Sequence, residues 1–398
     1  MNLYQVARVF PRKTSRSPVS TLTSTFGLVL SLALFGCPSK NTQVPMGLIQ
    51  DVGVLAPIDV EVGEVRELSE EKCTQEILEA VYGKLVKDHH PDSDENMPRD
   101  AHVKMHGCVV GSFVVDEALE SAFQVGVFSL PGKKYDAIVR FSNSDAKKQK
   151  DSKPDARGMA IKLLGVPGDK LLPDEKGAMT QDFMLLNSDR FFVKNLKEYV
   201  EVLRAIEKGV VARDLWFASH PHALEALMGA FNNPMRNPAL HTYHSATPYL
   251  LGKQAIKYFA TPCELKPAAG VEVKTGKNAL RDAMKQTFAT EEVCYSFYAE
   301  ERTVPAVMPI EDATVSWPKD QLRRVKLGTF TLPMQDFDTD ARRHACENYS
   351  FTPWHSLPVH KPLGAVNRAR YSVYELISRF RNKQNQVPHA EPTSLPEG

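Results

Sequence analysis

Cys73, Ile77, Val81 and Leu85 recur every four residues behind Ser69. That spacing stacks four apolar side chains on one side of a helix, and Ser69 has the chemistry of its cap. Farther on the period shortens. Runs rich in Val, Ile, Phe and Met, separated by Pro-Gly or polar turns, predict strands at roughly 103–116, 122–129, 135–142, 157–165 and 182–188. Helical spacing returns over 194–208 and 213–231, strand patterning near 293–299 and 325–332, and 366–381 reads as a closing amphipathic helix. Hairpin-linked strands followed by late helices imply an α+β chain on an antiparallel sheet and argue against a doubly wound parallel one. The expected architecture is an antiparallel β-barrel with helices packed around it.

The N-terminal segment has a different composition. Arg8, Arg12, Lys13 and Arg16 form a basic leader, and Phe26–Gly36 is an apolar run as long as a signal-peptide core but too short for a membrane span. It ends in Leu34-Phe35-Gly36-Cys37, which resembles a bacterial lipobox and implies a mature chain beginning at Cys37 with lipid on that residue. A plain signal peptide with an incidental Cys37 is the alternative. On this reading residues 1–36 are a lipoprotein signal peptide, 37–65 a tether, 66–382 one large domain and 383–398 a polar tail. The expected location is the bacterial cell envelope, lipid-anchored in the periplasm or outer membrane, since no later stretch has the ~18 unbroken apolar residues of a span.

Charge narrows the partners. Lys and Arg total 49 against 48 Asp and Glu, a net +1 with no basic block beyond the leader, so nucleic acid is not an expected partner. Setting Cys37 aside, Cys73, Cys108, Cys263, Cys294 and Cys346 fit no CxxC metal site, and their odd number leaves at least one free thiol in an exported chain.

The closing helix carries the most pointed chemistry. Arg370 and Tyr374 are one helical turn apart, where a guanidinium can hold a phenolate near neutral pH. Upstream, Arg99-Asp-Ala-His102-Val-Lys104 is similar to the segment that carries the distal histidine of haem catalases. Val139-Arg140-Phe141-Ser142, Asp155-Ala-Arg157-Gly158-Met-Ala160-Ile-Lys162, Asp182 through Asn187 to Phe192, Phe351-Thr-Pro353 and Arg368 to Tyr374 resemble further catalase segments in the catalase order. The resemblance spans roughly residues 90–381 and implies that 66–382 is a catalase-like haem domain.

The resemblance also implies roles. Tyr374 is the expected metal ligand to haem b iron, with Arg370 keeping it ionised. His102 is the expected acid-base group, oriented by Ser142, and Arg99 and Arg140 are expected to pair with haem propionates. The family's distal Asn falls on Leu186 in an ungapped alignment, so Asn187 serves as a distal candidate only after a one-residue shift. His106, four residues past His102, faces the same side if both lie on one strand, and is a second candidate for the acid-base role. The implied activity is that of a haem peroxidase or catalase-like oxidoreductase acting on hydrogen peroxide or organic, including lipid, hydroperoxides with an unidentified electron donor. A homo-oligomer is compatible with the sequence. The alternative is a haem- or lipid-binding barrel lipoprotein without turnover.

Overall fold

The computed structural model describes residues 55–88, 96–231, 235–264 and 276–397, so the leader and Cys37 lie outside the described residues. Nine strands form one antiparallel sheet: β1 (Met105–Val115), β2 (Lys134–Asn143), β3 (Arg157–Leu164), β4 (Thr180–Leu186), β5 (Tyr243–His244), β6 (Tyr249–Leu251), β7 (Gln254–Pro262), β8 (Val293–Glu301) and β9 (Arg323–Leu332). Their order is β5-β4-β3-β2-β1-β9-β8-β7-β6. A further β5–β7 pairing closes eight strands into a barrel, with β6 attached to β7 as a hairpin.

Alternation along each strand divides inside from outside. The barrel interior holds Val139, Phe141, Met159, Ile161, Phe183, Tyr258, Phe297 and Phe330, all buried. Phe113 and Phe330 have ring centroids 4.6 Å apart, and Phe183 and Phe297 5.1 Å. The barrel is therefore a packed core and not a container.

Seven α-helices lie among the described residues: α1 (Glu70–Asp88), α2 (Leu196–Glu207), α3 (Val210–Ser219), α4 (Pro221–Phe231), α5 (Ala279–Thr290), α6 (Asp340–Asn348) and α7 (Ala365–Gln384). The four-residue repeat of 73–85 becomes the buried side of α1, where Ile77 and Val81 join Leu203 of α2 and Leu376 and Ile377 of α7 in a second core. Buried Arg368 locks this layer, donating to Glu64, Glu70 and Glu311. Glu64, inside the stretch read as a tether, is thus part of the folded body.

Two sequence expectations need correction. Residues 122–129 form two short 3-10 turns, Ser121–Phe123 and Gly126–Phe128, and not a strand. Gly126 sits at φ 54°, where any Cβ would collide with His360, and the apolar residues of the run serve as a plug that puts Phe123, Val127 and Phe128 into the core. The helix expected over 213–231 is two helices, broken at His220-Pro221 because proline has no N–H for the helical ladder. Disulfides join Cys108 to Cys346 and Cys263 to Cys294, and buried Cys73 is the free thiol among the described residues. No helix among the described residues is long and apolar enough to cross a membrane.

Candidate active site

The outward residues of β2 and β3 make one wall of a cavity. Arg140 and Ser142 come from β2, Gly158 and Ala160 from β3, and Met184 and Leu186 from β4. The helix α7 makes the facing wall, presenting Val366, Arg370, Val373, Tyr374, Ile377 and Arg381 at helical spacing. Apolar residues of α1, α2 and α4, among them Val81, Leu203 and Leu227, complete the enclosure. The cavity measures about 250 Å³. A water needs only ~10–15 Å³ on the same scale, so the space far exceeds that of a few solvent molecules.

His102 enters this cavity from the loop before β1. Its backbone is left-handed (φ 57°), fixed by bonds from its N–H to the Ser144 carbonyl and from Arg140 to its own carbonyl at 2.8 Å. Its Nδ1 lies 2.9 Å from Ser142 Oγ. Burial, with the positive charges of Arg140, Arg370 and Arg99, pushes His102 down to about 3, so the imidazole is neutral near pH 7. Gly158, paired with Ser142 across the β2–β3 ladder, leaves the room the ring needs: a Cβ there would stand 2.7 Å from His102 Nδ1 and 3.1 Å from Ser142 Oγ.

On the helical wall the Arg370 guanidinium donates to Asn367 at 2.9 Å and lies 5.3 Å above the Phe191 ring and 5.9 Å from that of Tyr374. Burial raises the Tyr374 phenol, and Arg370 opposes that by charge and hydrogen bond without overcoming it. A bound cation on the phenol oxygen is what would complete the ionisation.

At one end of the cavity three guanidiniums converge. Arg99 and Arg140 both approach Glu347, at 3.8 and 3.5 Å, and Arg381 joins them from α7. Burial and the charge of Arg99 push Arg140 and Arg381 each down to about 9, and the Nε atoms of Arg99 and Arg140 make no hydrogen bond. Buried cations that repel one another and keep unused donors have the chemistry of an anion-binding end. Arg381 lies seven residues after Tyr374 on the same side of α7, a spacing that brings both to the cavity.

The structure brings His102, Ser142, Arg99, Arg140, Arg370 and Tyr374 to one cavity and leaves two candidates out of its lining. Asn187 is buried with both ends of its amide committed, accepting from the Arg157 N–H at 2.8 Å and donating to the Ala230 carbonyl at 2.9 Å, while Leu186 faces the cavity. His106 does not share the face of His102, because β1 begins only at Met105 and its register shifts between Met105 and Gly107. Its Nε2 contacts Asn143 Oδ1 at 2.6 Å, which also accepts from Arg157 at 2.7 Å. It is a member of a buried polar network beside the site.

No family model matches the chain, and no curated protein matches it by sequence. Solved structures match in fold. A fungal catalase has a TM-score of 0.55 at 17% identity, covering 73% of this chain and 60% of its own. Catalase A from Saccharomyces cerevisiae has a TM-score of 0.57 at 19% identity, covering 77% and 66%. A bacterial catalase has a TM-score of 0.53 at 14% identity, covering 87% and 64%. The chain therefore has a catalase-like fold, and it spans 60 to 66% of the length of these structures.

Proposed function

We propose that the protein is a haem-binding oxidoreductase that reduces organic hydroperoxides in preference to dismutating hydrogen peroxide. The observation that carries this reading is the convergence of two pairs, His102 with Ser142 and Arg370 with Tyr374, on opposite walls of one cavity. The residues present fit haem: apolar walls suit a flat macrocycle, and the three guanidiniums suit its carboxylates. Tyr374 would hold the iron, and Arg99, Arg140 and Arg381 the propionates. Bound haem supplies the electrons that accompany cleavage of the peroxide O–O bond.

The rest is proton management by this chain. With Nδ1–H donated to Ser142 Oγ, His102 keeps Nε2 as an acceptor, takes the proton of the hydroperoxide O–H and returns it to the departing oxygen. Burial and the neighbouring arginines keep its imidazole neutral, with Nε2 free to accept a proton, across the neutral range. Precise seating of a second hydrogen peroxide is the step this cavity serves poorly, because the Asn187 amide is spent on the backbone and Leu186 and Met184 line the wall. Those same apolar residues suit a hydroperoxide with a hydrocarbon chain. A lipid anchor at Cys37 and export to the envelope belong to the same proposal, supported by two disulfides of a kind that persists in oxidising compartments.

Stopped-flow mixing with hydrogen peroxide and with a fatty-acid hydroperoxide, each with and without a phenolic donor, tests the reading. Faster reaction with the organic hydroperoxide, and turnover that depends on the donor, is expected. Vigorous oxygen release from hydrogen peroxide alone contradicts it.

A further inference from the structure

Cys108 and Arg140 are directly opposite each other in the β1–β2 ladder, and both reach the same turn of α6. Cys108 does so through its disulfide to Cys346, and Arg140 through an ion pair to Glu347 at 3.5 Å. The carbonyls around this turn hold the other two guanidiniums. Arg99 donates to those of Cys346 and Glu347 at 3.0 Å each and Tyr349 at 2.6 Å, and Arg381 donates to those of Glu347 and, at 3.3 Å, Tyr349. Residues 346–349 thus set the position of all three arginines at the anion-binding end.

The start of the helix is tied separately, by Thr339, which accepts from the Arg342 N–H, and by the Arg342 guanidinium, which donates to the Glu397 carbonyl and to Gln335 at 3.2 Å each. The helix α6 is nine residues long, shorter than a helix that is stable on its own, and buries only Arg342 and Cys346. Two cations drawn to its last carbonyls, with a third at the Glu347 carboxylate, suit a helix C-terminus but repel one another. A covalent link to the barrel wall next to Arg140 resists that repulsion.

We infer that the Cys108–Cys346 disulfide is a positioning element for carboxylate recognition: it holds residues 346–349, and through them Arg99, Arg140 and Arg381, where they receive the carboxylates of the cofactor. This rests on the haem reading above, and the choice of ligand separates the two. Haem and its dimethyl ester, which lacks free carboxylates, are titrated into apoprotein and followed by Soret absorbance. Wild type binds haem more tightly than the ester. The C108S/C346S variant loses about tenfold or more in haem affinity, the scale of a hydrogen bond to a charged group, and keeps its affinity for the ester. The C263S/C294S variant, which cuts the bridge between β7 and β8, retains both affinities. The apolar pair Cys108→Val with Cys346→Ala repeats the test if the serine variant fails to fold. Unchanged haem affinity without the disulfide, or equal losses for haem and ester, overturns the inference while leaving the haem reading intact. Failure of wild type to bind either porphyrin overturns both.

Discussion

His102 Nδ1 lies 2.9 Å from Ser142 Oγ, and the bare backbone of Gly158 closes beneath both. The pair exists because Ser142 faces outward on β2 while its neighbour Phe141 points into the barrel, and because the strand partner of Ser142 carries no side chain. Gly158→Ala puts a methyl group against the imidazole and the hydroxyl. The expected outcome is a folded, haem-binding protein whose reaction with peroxide slows by ~10²-fold, since a displacement of this size costs that much in a positioned acid-base group. Circular dichroism and stopped-flow on the same sample check it.

The two histidines separate by kind of effect. His102→Ala should slow peroxide cleavage by ~10²-fold or more while haem stays bound. His106→Ala should leave the rate near wild type and lower stability by about 1–3 kcal/mol, because it removes one of the two hydrogen bonds on Asn143 Oδ1 and empties a buried position. Rates together with urea unfolding distinguish them. A rate loss confined to His106→Ala would return the acid-base role to that residue.

Sequence made the two walls legible and left their surroundings dark. The catalase resemblance picked out Arg140 with Ser142, and one-turn spacing on the closing helix picked out Arg370 with Tyr374; the structure puts each pair on one face of its element. The exclusion of His106 and Asn187 depends on partners distant in the chain, Asn143 and Ala230, and on a register shift that no local pattern announces. The region 243–262 stayed unassigned because β5 and β6 are two and three residues long, and because the nine-residue β7 is buried without a break from Ala255 to Tyr258 and so carries no clean alternation. The C-terminal segment looked like solvent-exposed tail because it is polar, yet Glu391 is nearly buried against Lys162, 229 residues away.

That contact has a pH signature. Glu391, Asp182 and Glu175 surround His355 and Lys162, with Lys170 nearby. Burial alone would lower His355, but Glu391, Glu175 and Asp182 outweigh it and raise it to about 10 against an ordinary 6.5. Burial alone would raise Glu391, but His355 and Lys162 hold it at about 2 against 4.5. The raised His355 contributes stability that is complete below 6.5 and lost as pH rises toward 10. The lowered Glu391 contributes stability that is complete above 4.5 and lost as pH falls toward 2. The cluster is strongest between those limits. His355→Gln should flatten the alkaline decline of the melting temperature between pH 7 and 10. Glu391→Gln should cost ~3–5 kcal/mol at pH 6, the scale of breaking a buried pair.

Anchoring at Cys37 is tested in cells. Wild type is expected to pellet with membranes and to take up labelled fatty acid, and Cys37→Ala to do neither. Labelling that survives the substitution contradicts a lipid on that residue.

The most direct measurement is the absorption spectrum of purified protein titrated with ferric haem, wild type beside Tyr374→Phe. Wild type should bind one haem per chain with the charge-transfer band of a phenolate-bound ferric iron, and Tyr374→Phe should lose that band or fail to retain haem. A wild-type protein that binds no haem, or a variant with an unchanged spectrum, contradicts ligation by Tyr374.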